Sequence, residues 1–245
     1  TWRDEFAIGN ELGFACMEWI FEVSNIDRNP LYTDIGVEEI KKVKQKFGIS
    51  INSVVADYFM ERLLFGEKKT IRDNVDMLKV LITQCHKCGI PIIEIPLVDA
   101  SALRSATEKK EFVQNMKEPL RLAEKLDVKI SLETSLPPRE FKNLILMFRP
   151  FKICVNYDMG NSASLGFNPT EELSLLGSYI INVHIKDRLK GGGTVPLGKG
   201  ATDFKAVFDG LKQSNYSGDF ILQAARQDLS APEEKKEPYE TMREY

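Results

Sequence analysis

Short apolar runs rich in β-branched residues recur along the chain, each followed by a polar loop and then by an amphipathic stretch. The runs are Cys16–Phe21, Ile49–Ala56, Pro91–Pro96, Val128–Leu132, Lys152–Asn156, Ile181–Ile185 and Phe220–Ala224. Near-continuous apolarity predicts strands buried on both faces, as in a parallel sheet. Between them Val37, Ile40, Val43 and Phe47, and later Val75, Leu78, Leu81 and Cys85, fall three or four residues apart, which predicts helices with one buried stripe. Gly48 and Gly89 stand where a left-handed glycine ends a helix. Strand, loop, helix, glycine, strand is the punctuation of βα units.

No shift of composition marks a domain boundary, so residues 1–245 read as one domain, either a doubly wound sheet or an eight-stranded barrel. The opening Thr1-Trp2-Arg3-Asp4-Glu5-Phe6-Ala7 has the pattern of a capped helix start feeding the Cys16 run. A further strand is therefore expected upstream of Thr1, which would make a (β/α)₈ barrel. The segment from about 230 to 245, with Glu233, Glu234, Lys235, Lys236, Glu237 and Pro238, is expected to be a solvated, frayed helix.

Composition changes this picture little. The chain is 43% hydrophobic and 28% charged, an ordinary soluble balance. Its formal charge of -3, from 33 basic and 36 acidic residues, creates no general field for nucleic acid or an anionic membrane. No apolar run approaches the ~20 residues that span a bilayer, and the first residues lack a signal-peptide pattern, so a cytoplasmic location is expected. Cys16, Cys85, Cys88 and Cys154 form no disulfide framework. Cys85-His86-Lys87-Cys88 has the spacing of half a zinc site, but no second pair lies near it, and helix-end packing is the expected role.

In either architecture function gathers at the carboxyl ends of the strands. Counting the expected upstream strand, the fifth ends in Ser131-Leu132-Glu133-Thr134 and the sixth in Asn156-Tyr157-Asp158-Met159-Gly160-Asn161. The seventh carries Val183-His184-Ile185-Lys186-Asp187-Arg188 and the eighth Leu222-Gln223-Ala224-Ala225-Arg226. In a barrel these four ends are neighbours, and Glu133, Asp158, His184 and Gln223 would converge. Two carboxylates, an imidazole and an amide oxygen make a cage for one divalent ion, oxygen-rich enough to favour Mn²⁺ or Mg²⁺, with Co²⁺ or Zn²⁺ compatible. A histidine between Val183 and Ile185 needs a polar partner, and the chain has only one other.

The rest of the mouth supplies supporting groups. Glu18, Asp57, Glu94 and Asp99, in or just after the preceding strands, are placed to bond substrate hydroxyls or to pair with lysines. Asn161 is read as a further substrate-binding residue. Lys186 shares strand parity with His184, where it either polarises a substrate oxygen or pairs with Glu133 or Asp158. Lys199 and Arg226 flank the quarter where barrels often hold phosphate and are the expected anion grips. The nearby glycines, 191–193, 198 and 200, lack the spacing of a nucleotide-binding loop and fit a mobile lid equally well.

These segments together resemble a family. Glu18-Trp19, Ala56-Asp57-Tyr58-Phe59-Met60, Ile95-Pro96-Leu97-Val98-Asp99, Leu132-Glu133-Thr134, residues 157–161, residues 183–188, Val195 to Gly200 and Asp203-Phe204 are similar, in order, to the xylose-isomerase-like barrels of the sugar-phosphate isomerase and epimerase branch. That resemblance implies a metal held by the fifth-strand glutamate, sixth-strand aspartate and seventh-strand histidine, here Glu133, Asp158 and His184. The eighth position departs, since Gln223 stands where the family has glutamate.

The resemblance further implies proton transfer next to a carbonyl through a metal-stabilised enediolate, with Glu133 as base. An amide carries no proton to shuttle near neutral pH. One-base aldose–ketose isomerisation is therefore favoured over epimerisation or dehydration with Lys186, Asp187 or Asp57 as a second acid. A non-catalytic metal- or sugar-binding barrel is the alternative from another class. Apurinic-site endonucleases share the fold, but His86 and His184 are too few for their zinc cluster, and no nucleic-acid partner is expected. The expected partner is a small sugar or sugar phosphate, and a homo-oligomer is compatible with the sequence.

Overall fold

The computed structural model of the chain describes residues 1–66 and 68–223. The strands, in chain order, are β1 (Cys16–Ile20), β2 (Ser50–Val55), β3 (Ile92–Leu97), β4 (Lys129–Thr134), β5 (Cys154–Asp158), β6 (Ile180–Ile185), the short β7 (Asp187–Arg188) and β8 (Thr194–Val195), and β9 (Phe220–Leu222). Seven of them form one sheet in the order β1-β2-β3-β4-β5-β6-β9, parallel at every step, while β7 and β8 pair as an antiparallel hairpin. The edges come round towards each other. Asn52 on β2 donates to Asp219 beside β9 at 2.7 Å, and Asn182 on β6 reaches Glu18 on β1 at 3.0 Å. The result is a nearly closed parallel barrel wrapped by helices, the TIM-barrel architecture expected from the sequence.

Each helix starts and stops for a local reason. Thr33 accepts the Gly36 amide hydrogen and opens the helix Asp34–Phe47, whose Val37 and Ile40 are buried; Gly48 ends it at φ 66°. Gly36 cannot be larger, because a Cβ there would stand 2.1 Å from the carbonyl oxygen of Pro30. Ser105 and Glu108 form a reciprocal cap on the helix Ala106–Asn115. Gly89 ends the helix Lys68–Cys88 at φ 69°. Cys85 and Cys88 are buried in its last turn, and all four cysteines are free. The half-site motif is thus helix-end packing. Among the described residues no helix is long and apolar enough to cross a membrane.

Two strands run further than their apolar residues. β4 extends through Glu133 and Thr134, and β5 through Tyr157 and Asp158, the polar strand ends expected from the sequence. The ladder continues because Glu133 and Asp158 turn into the barrel and meet partners there, while Tyr157, on the opposite face, donates to Glu172. Register then sets a polar belt in the interior: Glu18 lies beside Ser53, Glu94 beside Ser131, and Asp158 beside His184. The run expected at Phe220–Ala224 is a strand through Leu222, with Gln223 immediately after it. Ala224 onward, including Arg226 and the segment 230–245, lies outside the described residues.

Outside the belt, the space between sheet and helices is hydrocarbon. Phe112 is wholly buried and stands edge-on to both Phe65 and Phe148, with centroids 6.5 and 5.8 Å away. Removing a ring packed on two others leaves a cavity that its neighbours cannot fill. Phe112→Ala should lower unfolding stability by about 3–5 kcal/mol in denaturant titration. Ile35→Ala, at a site 86% exposed, should change it by less than about 0.5 kcal/mol.

Candidate metal centre

His184, 1% exposed on β6, is the hub of the belt. Its Nε2 lies 2.8 Å from Glu18 and 3.2 Å from Glu94, on β1 and β3. Its Nδ1 faces the other way, 2.9 Å from Gln223 Nε2, 3.8 Å from Glu133 Oε2 and 4.0 Å from Asp158 Oδ2. A carboxylate on Nε2 holds the hydrogen there and leaves the Nδ1 lone pair facing the second group, which is how an imidazole is prepared for a cation.

The carboxylates are in turn held by donors. Asn182 and Ser53 donate to Glu18 Oε1 at 3.0 and 2.6 Å, leaving Oε2 for the imidazole. Asn156 donates to Glu133 Oε2 at 3.0 Å, and Asn161 donates to Oε1 of the same group. Asp158 divides its oxygens: Oδ1 accepts the Asn161 backbone N–H at 2.7 Å and caps the helix Met159–Leu165, while Oδ2 faces Nδ1 and lies 2.8 Å from Lys186 Nζ. Gly160 is forced to be glycine by that lysine, since a Cβ would stand 2.9 Å from Lys186 Cγ.

Four carboxyl groups, those of Glu18, Glu94, Glu133 and Asp158, thus surround one imidazole and one ammonium in a buried space. Burial pushes the Glu133 carboxyl well above its usual range, and Asp158 and Glu94 push it further. Burial alone would lower His184, but Glu18 and Glu94 outweigh it and carry the ring well above its ordinary value. Burial also raises Glu94. Without a cation, then, protons balance the excess negative charge. Glu94 Oε2, whose one close contact is the His184 Nε2 already shared with Glu18, and Asn156 Oδ1 are buried without a hydrogen bond of their own, so the cluster's own donors leave polar demand unmet. The donor set fits a divalent ion: Glu133, Asp158 and the Nδ1 lone pair face one another, and a half-turn of the Gln223 amide would present its oxygen.

The structure therefore brings Glu133, Asp158, His184 and Gln223 together, with Lys186 paired to Asp158. Asn161 joins them as a donor to Glu133. Glu18 and Glu94 are buried against the imidazole, deeper than a group free to meet substrate hydroxyls. Asp57 lies at the mouth after β2, and burial, with Glu133, Glu22 and Glu18 around it, raises it to about 6. Asp99 is exposed, with its backbone carbonyl accepting from Arg104 at 2.6 Å, and Lys199 is exposed on the loop after β8; neither contacts the cluster. Asp187 cannot serve as a second acid. It is buried, and both its oxygens accept loop N–H groups, from Gly200 at 2.7 Å and Thr202 at 3.1 Å. Sequence reasoning misses Asn156, Asn182 and Ser53, although Asn156 and Asn182 sit two residues before Asp158 and His184, on the same strand face.

Comparison with known proteins agrees with this architecture. The family model described as xylose isomerase-like TIM barrel matches residues 6–245, and the chain belongs to that family. L-ribulose-5-phosphate 3-epimerase UlaE of Shigella flexneri serotype 5b is 23% identical over 234 residues, which span 91% of this chain and 81% of that protein. A structure of IolI protein with a bound zinc atom superposes with a TM-score of 0.75 at 18% identity, over 91% of this chain and 83% of that one. D-psicose 3-epimerase of Clostridium cellulolyticum H10, solved with D-tagatose, gives 0.74 at 18% identity, over 91% and 79%. At such identities the structural likeness shows the fold.

Behind Glu133 and Asp158 a further buried carboxyl, outside the cluster of four, clamps the scaffold. Glu172, in the first turn of the helix Pro169–Leu176, accepts from Tyr157 Oη at 3.0 Å and from the Ser162 hydroxyl. It thereby ties β5 to the helix that carries Asn161. Burial raises its carboxyl to about 7 against the two donors, which pull it down. A carboxyl raised on folding stabilises the folded state fully below its unfolded value of about 4.5, and that contribution is lost as pH rises through 7. A tenfold difference in proton affinity between the folded and unfolded chain is worth about 1.4 kcal/mol. Wild-type stability should fall between pH 5 and pH 8 by more than that of Glu172→Gln, measured by denaturant titration across that range.

Proposed function

We propose that the protein is a divalent-metal-dependent isomerase or epimerase of a sugar or sugar phosphate, with Glu133, Asp158, His184 and Gln223 holding the ion. The observation that carries this reading is the Nδ1 face of His184, turned towards two buried carboxylates while Glu18 occupies Nε2. Relatives named as sugar epimerases support the substrate class. Mn²⁺ or Mg²⁺ suits the oxygen-rich donor set, and Zn²⁺ or Co²⁺ is compatible with the imidazole. A bound ion would supply Lewis-acid polarisation of a substrate carbonyl and its neighbouring hydroxyl, acidifying the C–H between them and stabilising the enediolate.

The chain's own residues supply the proton transfer. Glu133, with both oxygens fixed by Asn156 and Asn161, takes the proton from the hydroxyl-bearing carbon next to the carbonyl and returns it on the same face to the former carbonyl carbon, while the hydroxyl proton passes to the former carbonyl oxygen. Lys186 holds Asp158 in place through its ion pair. Gln223 contributes an oxygen and no proton, so one-base aldose–ketose isomerisation is the preferred reaction. A second reading, epimerisation at C3, has its own observation: Asp57, half-buried at the mouth after β2 and raised to about 6 by burial and then by Glu133, is near enough to neutral to exchange a proton. A metal- or sugar-binding barrel without catalysis is the reading that the experiment must exclude.

A panel of ketoses and ketose phosphates incubated in D₂O with Mn²⁺ and followed by NMR tests this. Deuterium entering C1 or C2 is the expected result; entry at C3 would favour the epimerase, and no entry with any substrate the binding module. Glu133→Gln should slow the exchange roughly 10²–10⁴-fold. Gln223→Glu, by restoring a second carboxylate, should raise exchange at C3 relative to C1 and C2.

A further inference from the structure

Arg188, the last residue of β7, stands four residues beyond His184 and touches none of the metal-facing atoms, yet it is anchored on both sides. Its Nε and one terminal nitrogen donate to the carbonyl oxygen of Gly192 at 3.1 and 2.8 Å, across the turn of the β7–β8 hairpin. Its other terminal nitrogen donates to Asn161 Oδ1 at 2.7 Å. The hairpin is itself fixed to the helix Met159–Leu165, where the Gly191 N–H donates to the Ser164 carbonyl at 2.8 Å. Asp187 secures the returning strand by accepting from Gly200 and Thr202.

The chemistry of this contact settles which way Asn161 turns. A guanidinium only donates, so the amide must present its oxygen to Arg188. Its NH₂ group is then directed at Glu133 Oε1, to which it donates. Were the amide free to rotate, half of its orientations would set oxygen against oxygen and push the carboxylate away from its place.

We propose that Arg188 is a positioning residue for Glu133, acting through Asn161: it polarises and orients the Asn161 amide, and so transmits the order of the 188–194 hairpin turn to the carboxylate that faces His184 Nδ1. The orientation is a property of the protein alone, while its effect on metal affinity rests on the metal-centre reading above. An outer-shell partner of this type is typically worth 10–100-fold in metal affinity.

Two measurements on wild type, Arg188→Met, Arg188→Lys, Asn161→Ala and the Arg188→Met/Asn161→Ala double variant decide it. In ¹⁵N-labelled wild type without added metal, the Asn161 side-chain NH₂ should be protected from solvent exchange, and Arg188→Met should abolish that protection. Calorimetric titration with Mn²⁺ should show binding weakened at least about 10-fold by Arg188→Met and by Asn161→Ala. Arg188→Lys, which keeps the charge but not the fork, should fall between wild type and Arg188→Met. The double variant should be no worse than Asn161→Ala, because both substitutions break one chain of contacts.

Protection unchanged in Arg188→Met, or losses that add in the double variant, would overturn the proposal. If Arg188→Met does not fold, Arg188→Lys takes its place in both measurements, alone for the Asn161 NH₂ protection and combined with Asn161→Ala for the test of additivity. Failure of the wild type to take up Mn²⁺ would instead count against the metal-centre reading, and the amide measurement would still decide the role of Arg188.

Discussion

The structure depends on satisfying a ring of buried charge at one level of the barrel interior. Uncompensated, a carboxylate in such a place costs several kcal/mol and would protonate or unfold its surroundings. Here four acidic side chains, an imidazole and an ammonium answer one another across the barrel interior, His184 on β6 meeting Glu18 on β1 and Glu94 on β3 as well as Asp158 on the neighbouring β5. The amides of Asn156, Asn161 and Asn182 donate to Glu133 and Glu18, and each is placed by the same strand alternation or helix cap that places the acids. Because half of this ring acts on Nε2 and half faces Nδ1, the imidazole is held between two unlike neighbourhoods. That asymmetry is the basis of the proposed metal site: one face of the ring is fastened to the scaffold by Glu18, and the other faces Glu133, Asp158 and the Gln223 amide.

A barrel can afford this polarity because its hydrocarbon lies elsewhere, between sheet and helices, where Phe112, Phe65 and Phe148 pack. The two regions meet in residues with double duties. Asp158 faces the imidazole with one oxygen and caps a helix with the other. Glu172 joins β5 to that helix from behind. Displacing any of these would therefore disturb both the fold and the geometry at Glu133.

Much of this is legible in the residues. Apolar runs and glycine stops locate all seven main strands, because burial on both faces leaves a simple signature. The four convergent residues emerge from asking what interrupts those runs near their ends. Less legible is depth. Glu18 and Glu94 read as mouth residues, yet register places them below the imidazole, and only strand pairing carries that information. Asn156 and Asn182 are hidden because an asparagine inside a strand has many ordinary explanations until its partner is seen. Asp187 stands in the sequence as one of three candidates, with Lys186 and Asp57, for the second acid of the disfavoured epimerisation, but two backbone N–H groups from a loop thirteen and fifteen residues away claim its oxygens. Arg226 and the segment after it lie outside the described residues, so the anion grip stays a reading of the sequence.

The central claim is that a single cation meets the Nδ1 face of His184 together with Glu133 and Asp158. Electron spin-echo spectroscopy of the protein loaded with Mn²⁺ and carrying ¹⁵N-histidine tests it most directly. The account predicts coupling to one directly bound imidazole nitrogen that disappears in His184→Ala. Tightly bound Mn²⁺ with no histidine nitrogen coupling, or a coupling that survives in His184→Ala, would contradict it.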